Sequence, residues 1–272
     1  PQHHLQEETQ KFFREADAAL KAHDLTKAQE CYRKGLQYAL RSTDGKFRAS
    51  AEAKVALFLF TTNQLQRAEA FIMEAMRESK KAGATSTEMR PLLLTLSTIQ
   101  AKNGRLPQAE KAARLALKLA ESSGGKDSAE VVEGLNSVVQ VLLQQHQYEK
   151  ALPLFERSYA IQKRRNLPTS PAVVMHTCWL ANVYWLSGKK QTAKDLVAKF
   201  VEKLQQCPAS EMSLAGKLFT DFGQECLKSS DKPEASVFFQ ASLKVLKRAP
   251  QAAQEIERAQ TQLKVAQTRT AT

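Results

Sequence analysis

The stretch Leu180–Leu196, LANVYWLSGKKQTAKDL, decides the fold. Ala181 is followed three residues later by Tyr184 on the same helical face, Gly188 ends the run, and Ala193 reopens an apolar period. A small residue at Ala181 lets a second helix cross closely. Gly188 can take the positive backbone angle that closes a helix, and Ala193 lets the returning helix pack back. The stretch predicts a helical hairpin.

Working outward, the small residue that marks each returning helix recurs as Ala28, Ala68, Ala109, Ala151, Ala193 and Ala235, at spacings of 40, 41, 42, 42 and 42 residues. A period this regular is an internal repeat. In the first unit Phe12 to Ala22 forms an amphipathic helix, His23 and Asp24 turn the chain, and Leu25, Ala28, Tyr32 and Leu36 carry the return stripe. The third unit places Pro91 early, where a first helical turn tolerates it, and stops at Asn103-Gly104. Its small residues Ala109, Ala113 and Ala116 imply close helix packing or a weaker repeat.

The expected architecture is all-α: a right-handed α-solenoid of six hairpins over residues 5–268, with repeats at about 5–42, 46–82, 86–122, 126–165, 170–206 and 209–247. A polar capping helix follows at 250–268, starting at Pro250, and residues 1–4 and 269–272 are expected to fray. No linker or low-complexity segment interrupts the series, so one domain is expected.

The pattern of a small residue, an aromatic, a glycine and an alanine resembles the tetratricopeptide repeat. The usual period of that repeat is about 34 residues, and units of about 42 look like the longer repeats of kinesin light chains. The likeness is best from Glu130 to Val197, about a quarter of the chain. Where kinesin light chains carry paired asparagines, this chain has Asn136-Ser137 and Cys178-Trp179, so the resemblance implies the fold and not the cargo-adaptor role. The two-carboxylate clamp of the chaperone-binding members has Phe13, Asp17, Lys54, Pro91 and Thr95 at its positions, and is absent.

Lys and Arg number 40 against 28 acidic residues, a net charge of +12 that favours anionic partners or surfaces. No RNP-like strand, zinc-finger spacing or basic region leading into heptads is present, so nucleic acid is not the expected partner, and RNA or an anionic surface is the weakest reading. No apolar run approaches the roughly 18 to 20 residues of a membrane span. Cys31, Cys178, Cys207 and Cys226 form no C-x-x-C pair and read as small packing residues in a reducing compartment. The chain starts at Pro1, which fits a trimmed chain or a removed presequence; the expected location is cytoplasmic, or an organelle matrix or stroma.

Enzyme chemistry is not expected. Ser123-Gly124-Gly125-Lys126 lacks the phosphate-loop spacing and a preceding strand, no H-E-x-x-H occurs, and Glu7-Glu8 fits a solvated helix face. No metal or cofactor is expected, and the sequence leaves the oligomeric state open. In such stacks the first helix of each pair lines the concave surface. Its outward positions would be Arg14 and Asp17, Lys54 and Leu57, Thr98 and Lys102, Asn136 and Gln140, Trp179 and Asn182, and Gln224. The expected peptide-binding set is Arg14, Lys54, Lys102, Asn136, Gln140, Trp179, Asn182 and Gln224, whose amides would serve a peptide backbone while Trp179 anchors a side chain. Trp185 reads instead as a packing residue. The function expected is a non-enzymatic scaffold holding a partner's peptide or helix, with a structural or assembly subunit of a large, mitochondrial or chloroplast, complex as the alternative.

Overall fold

One backbone device closes the hairpins. A computed structural model describes residues 2–249 and 251–268, and every regular element among them is helical. The first unit, ending at Gln145, contains α1 (Gln2–Lys21), α2 (Leu25–Leu40), α3 (Gly45–Thr61), α4 (Leu65–Lys81), α5 (Ser86–Lys102), α6 (Leu106–Gly124) and α7 (Ala129–Gln144). The second, beginning at His146, contains α8 (Tyr148–Arg165), α9 (Pro171–Leu186), α10 (Lys190–Leu204), α11 (Met212–Lys228), α12 (Lys232–Leu246) and α13 (Ala253–Gln267), with a short 3-10 turn at Ala209–Glu211.

At each of the six turns between an odd-numbered helix and the next, one residue takes a left-handed conformation: His23, Asn63, Gly104, His146, Gly188 and Ser230. Each stands five residues before a marker alanine, so the turns share the alanines' spacing. The N–H after the left-handed residue reaches back into the last turn of the preceding helix at 2.8 to 3.0 Å, from Asp24 to Ala19, Gln64 to Leu59, Arg105 to Gln100, Lys189 to Tyr184 and Asp231 to Cys226. That bond satisfies a carbonyl the helix end would leave orphaned. The same residue then caps the next helix, and all six marker alanines donate their N–H to its carbonyl at 2.9 to 3.1 Å. All six alanine side chains are buried. Within either unit, a larger residue at such a position would push two helices apart.

The odd-numbered helices from α3 to α9 begin on polar caps, Asp44, Thr85, Ser128 and Ser170, each accepting backbone N–H bonds, and Thr85 with Glu88 completes a reciprocal capping box. Pro91 lies within α5, one turn later than expected, and the carbonyl it leaves without a donor belongs to the exposed Thr87, where water can serve it. The small residues of α6 give close packing: a Cβ added at Gly134 of α7 would lie 2.8 Å from the Leu117 Cα.

In the first unit, consecutive hairpins are joined by buried polar groups. Glu69 on α4 accepts from Gln100 of α5 and from Asn103 and Arg105 beyond it, each at 3.1 Å. In the second unit the core is aromatic, with Phe222 packed against Phe238 and Phe219 against Phe200. Helix α13 covers the last hairpin through Ala259 and Ala266, and Arg258 reaches Asp221 at 3.0 Å. Residues 2–4, expected to fray, are the first residues of α1, where Ser42 donates to the Gln2 side chain at 2.8 Å. Residue 1, residues 269–272 and the expected helix start at Pro250 lie outside the described residues.

Candidate peptide-binding face

The outward positions of α1, α3, α5 and α7 form the candidate face of the first unit. Arg14 is exposed and, among the described residues, bonds only within its own helix, Nε to the Gln10 carbonyl at 3.4 Å. Lys54 is not a free cation. Its ammonium donates to Asp17 at 2.8 Å and lies 5.4 Å from the centroid of the Phe13 ring, while the Tyr32 hydroxyl donates to the same carboxylate at 2.5 Å. Burial pulls the Asp17 carboxyl upward, but the bonds from Lys54 and Tyr32 outweigh it and hold the group below its ordinary range. This pair ties α1 to α3.

Further along, the chain opens a hollow of about 250 Å³ lined by Phe60 of α3, Thr98 and Lys102 of α5, and Ser137, Gln140 and Gln144 of α7. The Lys102 ammonium stands 4.7 Å from the centroid of the Phe60 ring, within the range of a cation–π contact. The side-chain amides of Gln140 and Gln144 bond to no described residue. Each offers a donor and an acceptor, which is what an extended peptide backbone needs. Thr98 has committed its proton to the Leu94 carbonyl. Lys102 and Gln140 are thus the two expected residues that come together, and Asn136, half-buried on α7, lies outside the hollow's lining.

The second unit uses its expected residues differently. Trp179 is 46% exposed and meets Phe222 edge-on, with ring centroids 5.1 Å apart. Asn182 is engaged internally, donating to both carboxylate oxygens of Glu234 at 3.1 and 3.2 Å. Gln224 accepts from Arg258 at 2.5 Å. Trp185 is buried and gives its indole N–H to Asp231 at 2.7 Å, as its packing reading requires. Of Trp179, Asn182 and Gln224, it is Trp179 that stays open.

Phe60, Ser137 and Gln144 escaped the sequence reading. The helical period marks them only as off-core positions, and nothing in spacing separates lining residues from solvated ones. Cys31, Cys178 and Cys226 are buried, whereas Cys207 is partly exposed beyond α10, where small-residue packing was expected. Among the described residues no cluster of His, Cys, Asp or Glu could hold a metal ion, and no helix is long and apolar enough to cross a membrane.

Residues 88–164 match the sequence model of the tetratricopeptide repeat. No curated protein matches the chain significantly. Among solved structures, the nearly identical repeats of a Podosopora anserina protein named for kinesin light chains are 15% identical over 84% of this chain and 100% of theirs, with a TM-score of 0.61. Aspartyl phosphate phosphatase F from Bacillus subtilis is 14% identical over 96% of this chain and 70% of its own, with a TM-score of 0.66. A plasmid-encoded Rap conjugation gene regulator in complex with a Phr peptide is 17% identical over 94% and 73%, with a TM-score of 0.53. At these identities the likeness is one of fold: helical hairpins of tetratricopeptide type.

Proposed function

We propose that this chain, a tetratricopeptide repeat protein, is a non-enzymatic scaffold that binds a peptide or helical segment of a partner on the outward face of its odd-numbered helices. The observation that carries the reading is the hollow between α3, α5 and α7. There Lys102 and Phe60 supply a cation and an aromatic surface, and Gln140 and Gln144 present exposed amides that bond to no described residue. Such amides beside an aromatic wall suit a backbone with one anchoring side chain, because the amides read the peptide groups and the wall takes the apolar group. The peptide held by the Rap regulator is a property of that protein, and it supports the reading for this fold by analogy.

Selection of random peptides displayed on phage tests it. Among the peptides chosen by the parent protein, one set should bind a Lys102→Glu, Gln140→Ala double variant at least about tenfold more weakly. Parent-selected peptides that all bind the double variant equally well would overturn the assignment.

A second reading, a subunit that assembles through its even-numbered helices, is favoured by Met73 on α4 and Leu115 on α6, large apolar side chains 55% and 46% exposed. It requires a stoichiometric complex that Met73→Asp and Leu115→Asp dissociate.

A further inference from the structure

In the second unit a hollow of about 260 Å³ opens between the C-terminal end of α8, the segment leading into α9, and α10. Its floor is apolar: Tyr159, Val173 and Phe200 are buried beneath it. Its rim is cationic, with Lys163 from α8 and Lys199 and Lys203 from α10, and no acidic residue lines it. Lys199 and Lys203 stand four residues apart, on one face of α10. The Lys163 ammonium lies 5.1 Å from the centroid of the Tyr159 ring, and none of the three lysines is paired with a carboxylate among the described residues. The Asn166 side chain, at the same rim, has committed its amide nitrogen to Gln162 and keeps its oxygen to accept an N–H.

The other flank of α10 repeats this chemistry. Between α10 and α12 a hollow of about 360 Å³ has Val197, Val201 and Ala241 in its lining and Lys194 and Lys244 at its rim, again without an acid. Convergent ammonium groups with no counter-charge repel one another, so an anion placed among them is favoured. A bare anion would leave the apolar floors unused. A single-stranded nucleic acid would need exposed rings on which to stack its bases, and Tyr159 and Phe200 are recessed in the floor.

We propose that the even-helix face around α10 binds an acidic peptide segment of a partner protein. One aliphatic or aromatic side chain of the segment enters the hollow above Tyr159 and Phe200, and flanking carboxylates meet Lys163, Lys199 and Lys203. This surface shares no residue with the hollow of the first unit and stands independently of the function proposed for it.

The test is a second selection of random displayed peptides, with a Lys199→Glu, Lys203→Glu double variant as the comparison and its thermal melt as the folding control. These lysines are exposed, so the melt should stay close to the parent's. Should it not, Lys199→Gln, Lys203→Gln replaces it. The parent should recover peptides combining acidic residues with an aliphatic or aromatic one. Their binding should fall at least about tenfold in the double variant and stay unchanged in Lys102→Glu, Gln140→Ala. Recovery of no acidic peptides, or equal binding to the folded double variant, would overturn the proposal. So would undiminished binding after the peptide's apolar residue is changed to Gly, or full competition by inorganic phosphate or single-stranded RNA.

Discussion

Asn182 on α9 donates its amide to both carboxylate oxygens of Glu234 on α12, so a side chain expected to face a ligand instead joins two consecutive hairpins of the second unit. Glu234 is buried at the first turn of α12, and nearer the turn Trp185 repeats the tie through Asp231. Asn182→Ala removes one of Glu234's two side-chain donors and should cost about 1 to 3 kcal/mol of stability in urea unfolding. Lys102→Ala and Gln140→Ala, on exposed positions, should stay within about 0.5 kcal/mol of the parent.

Glu234 also sets a pH dependence. Burial, reinforced by the charge of Asp231, pushes its pKa up from 4.5 to about 7, against the opposing bonds from Asn182 and Cys226. Between these values the folded chain keeps a proton that the unfolded chain has lost. The contribution is therefore fully present below pH 4.5 and disappears as pH rises through about 7. Glu52, buried on α3 with Oε2 unpartnered, is likewise raised to about 7 by burial and by the charges of Glu74 and Glu78. Glu234→Gln and Glu52→Gln should each match the parent near pH 4.5 and exceed it by on the order of 1 to 3 kcal/mol at pH 8. Urea unfolding across that range reads the difference directly.

The left-handed turn residues give a third prediction. His23 and Ser230 hold φ of 59° and 63°, a region that costs a side-chain-bearing residue about 1 to 2 kcal/mol and glycine little. Replacing either with glycine should stabilise by a few tenths to about 1 kcal/mol, since the added flexibility of the unfolded chain offsets part of the gain. Gly188→Ala should destabilise by about 1 to 2 kcal/mol. Thermal melts that move the opposite way would show that the turns are held by side-chain contacts and not by backbone geometry.

Glu69 concentrates three donors in one buried carboxylate. Glu69→Ala strands the buried Gln100 amide and removes a partner from half-buried Asn103 and exposed Arg105, and should cost about 2 to 4 kcal/mol, more than loss of the exposed pair Lys46–Glu88. Glu88→Gln, which keeps much of the capping geometry at Thr85, should move the urea midpoint far less than Glu69→Ala does. Comparing the two urea midpoints checks the ranking.

The repeat was legible because the turn and the crossing impose residue-level demands at fixed offsets. An alanine is needed where two helices touch, and a residue tolerant of positive φ is needed five positions earlier. The glycines at 104 and 188 advertised the left-handed geometry, whereas His23, His146 and Ser230 gave no sign of it even where a turn was expected, as at His23-Asp24, since the hairpin imposes that geometry against local preference. The candidate face was legible only in part. Lys102 and Gln140 were found by helical phase, but phase could not show that Lys54 is drawn to Asp17, Asn182 to Glu234 or Gln224 to Arg258.

Those partners lie 34 to 52 residues away in the chain. By itself, then, the sequence determined the helical hairpins, their period and their packing alanines, because these follow from interactions spanning a few residues along one helix and its turn. Only the tertiary structure decided which polar side chains remain available to a partner. Hydrogen-bond capacity is consumed by whichever group the fold brings within about 3 Å, and between separate helices that proximity is fixed by packing and not by spacing in the chain.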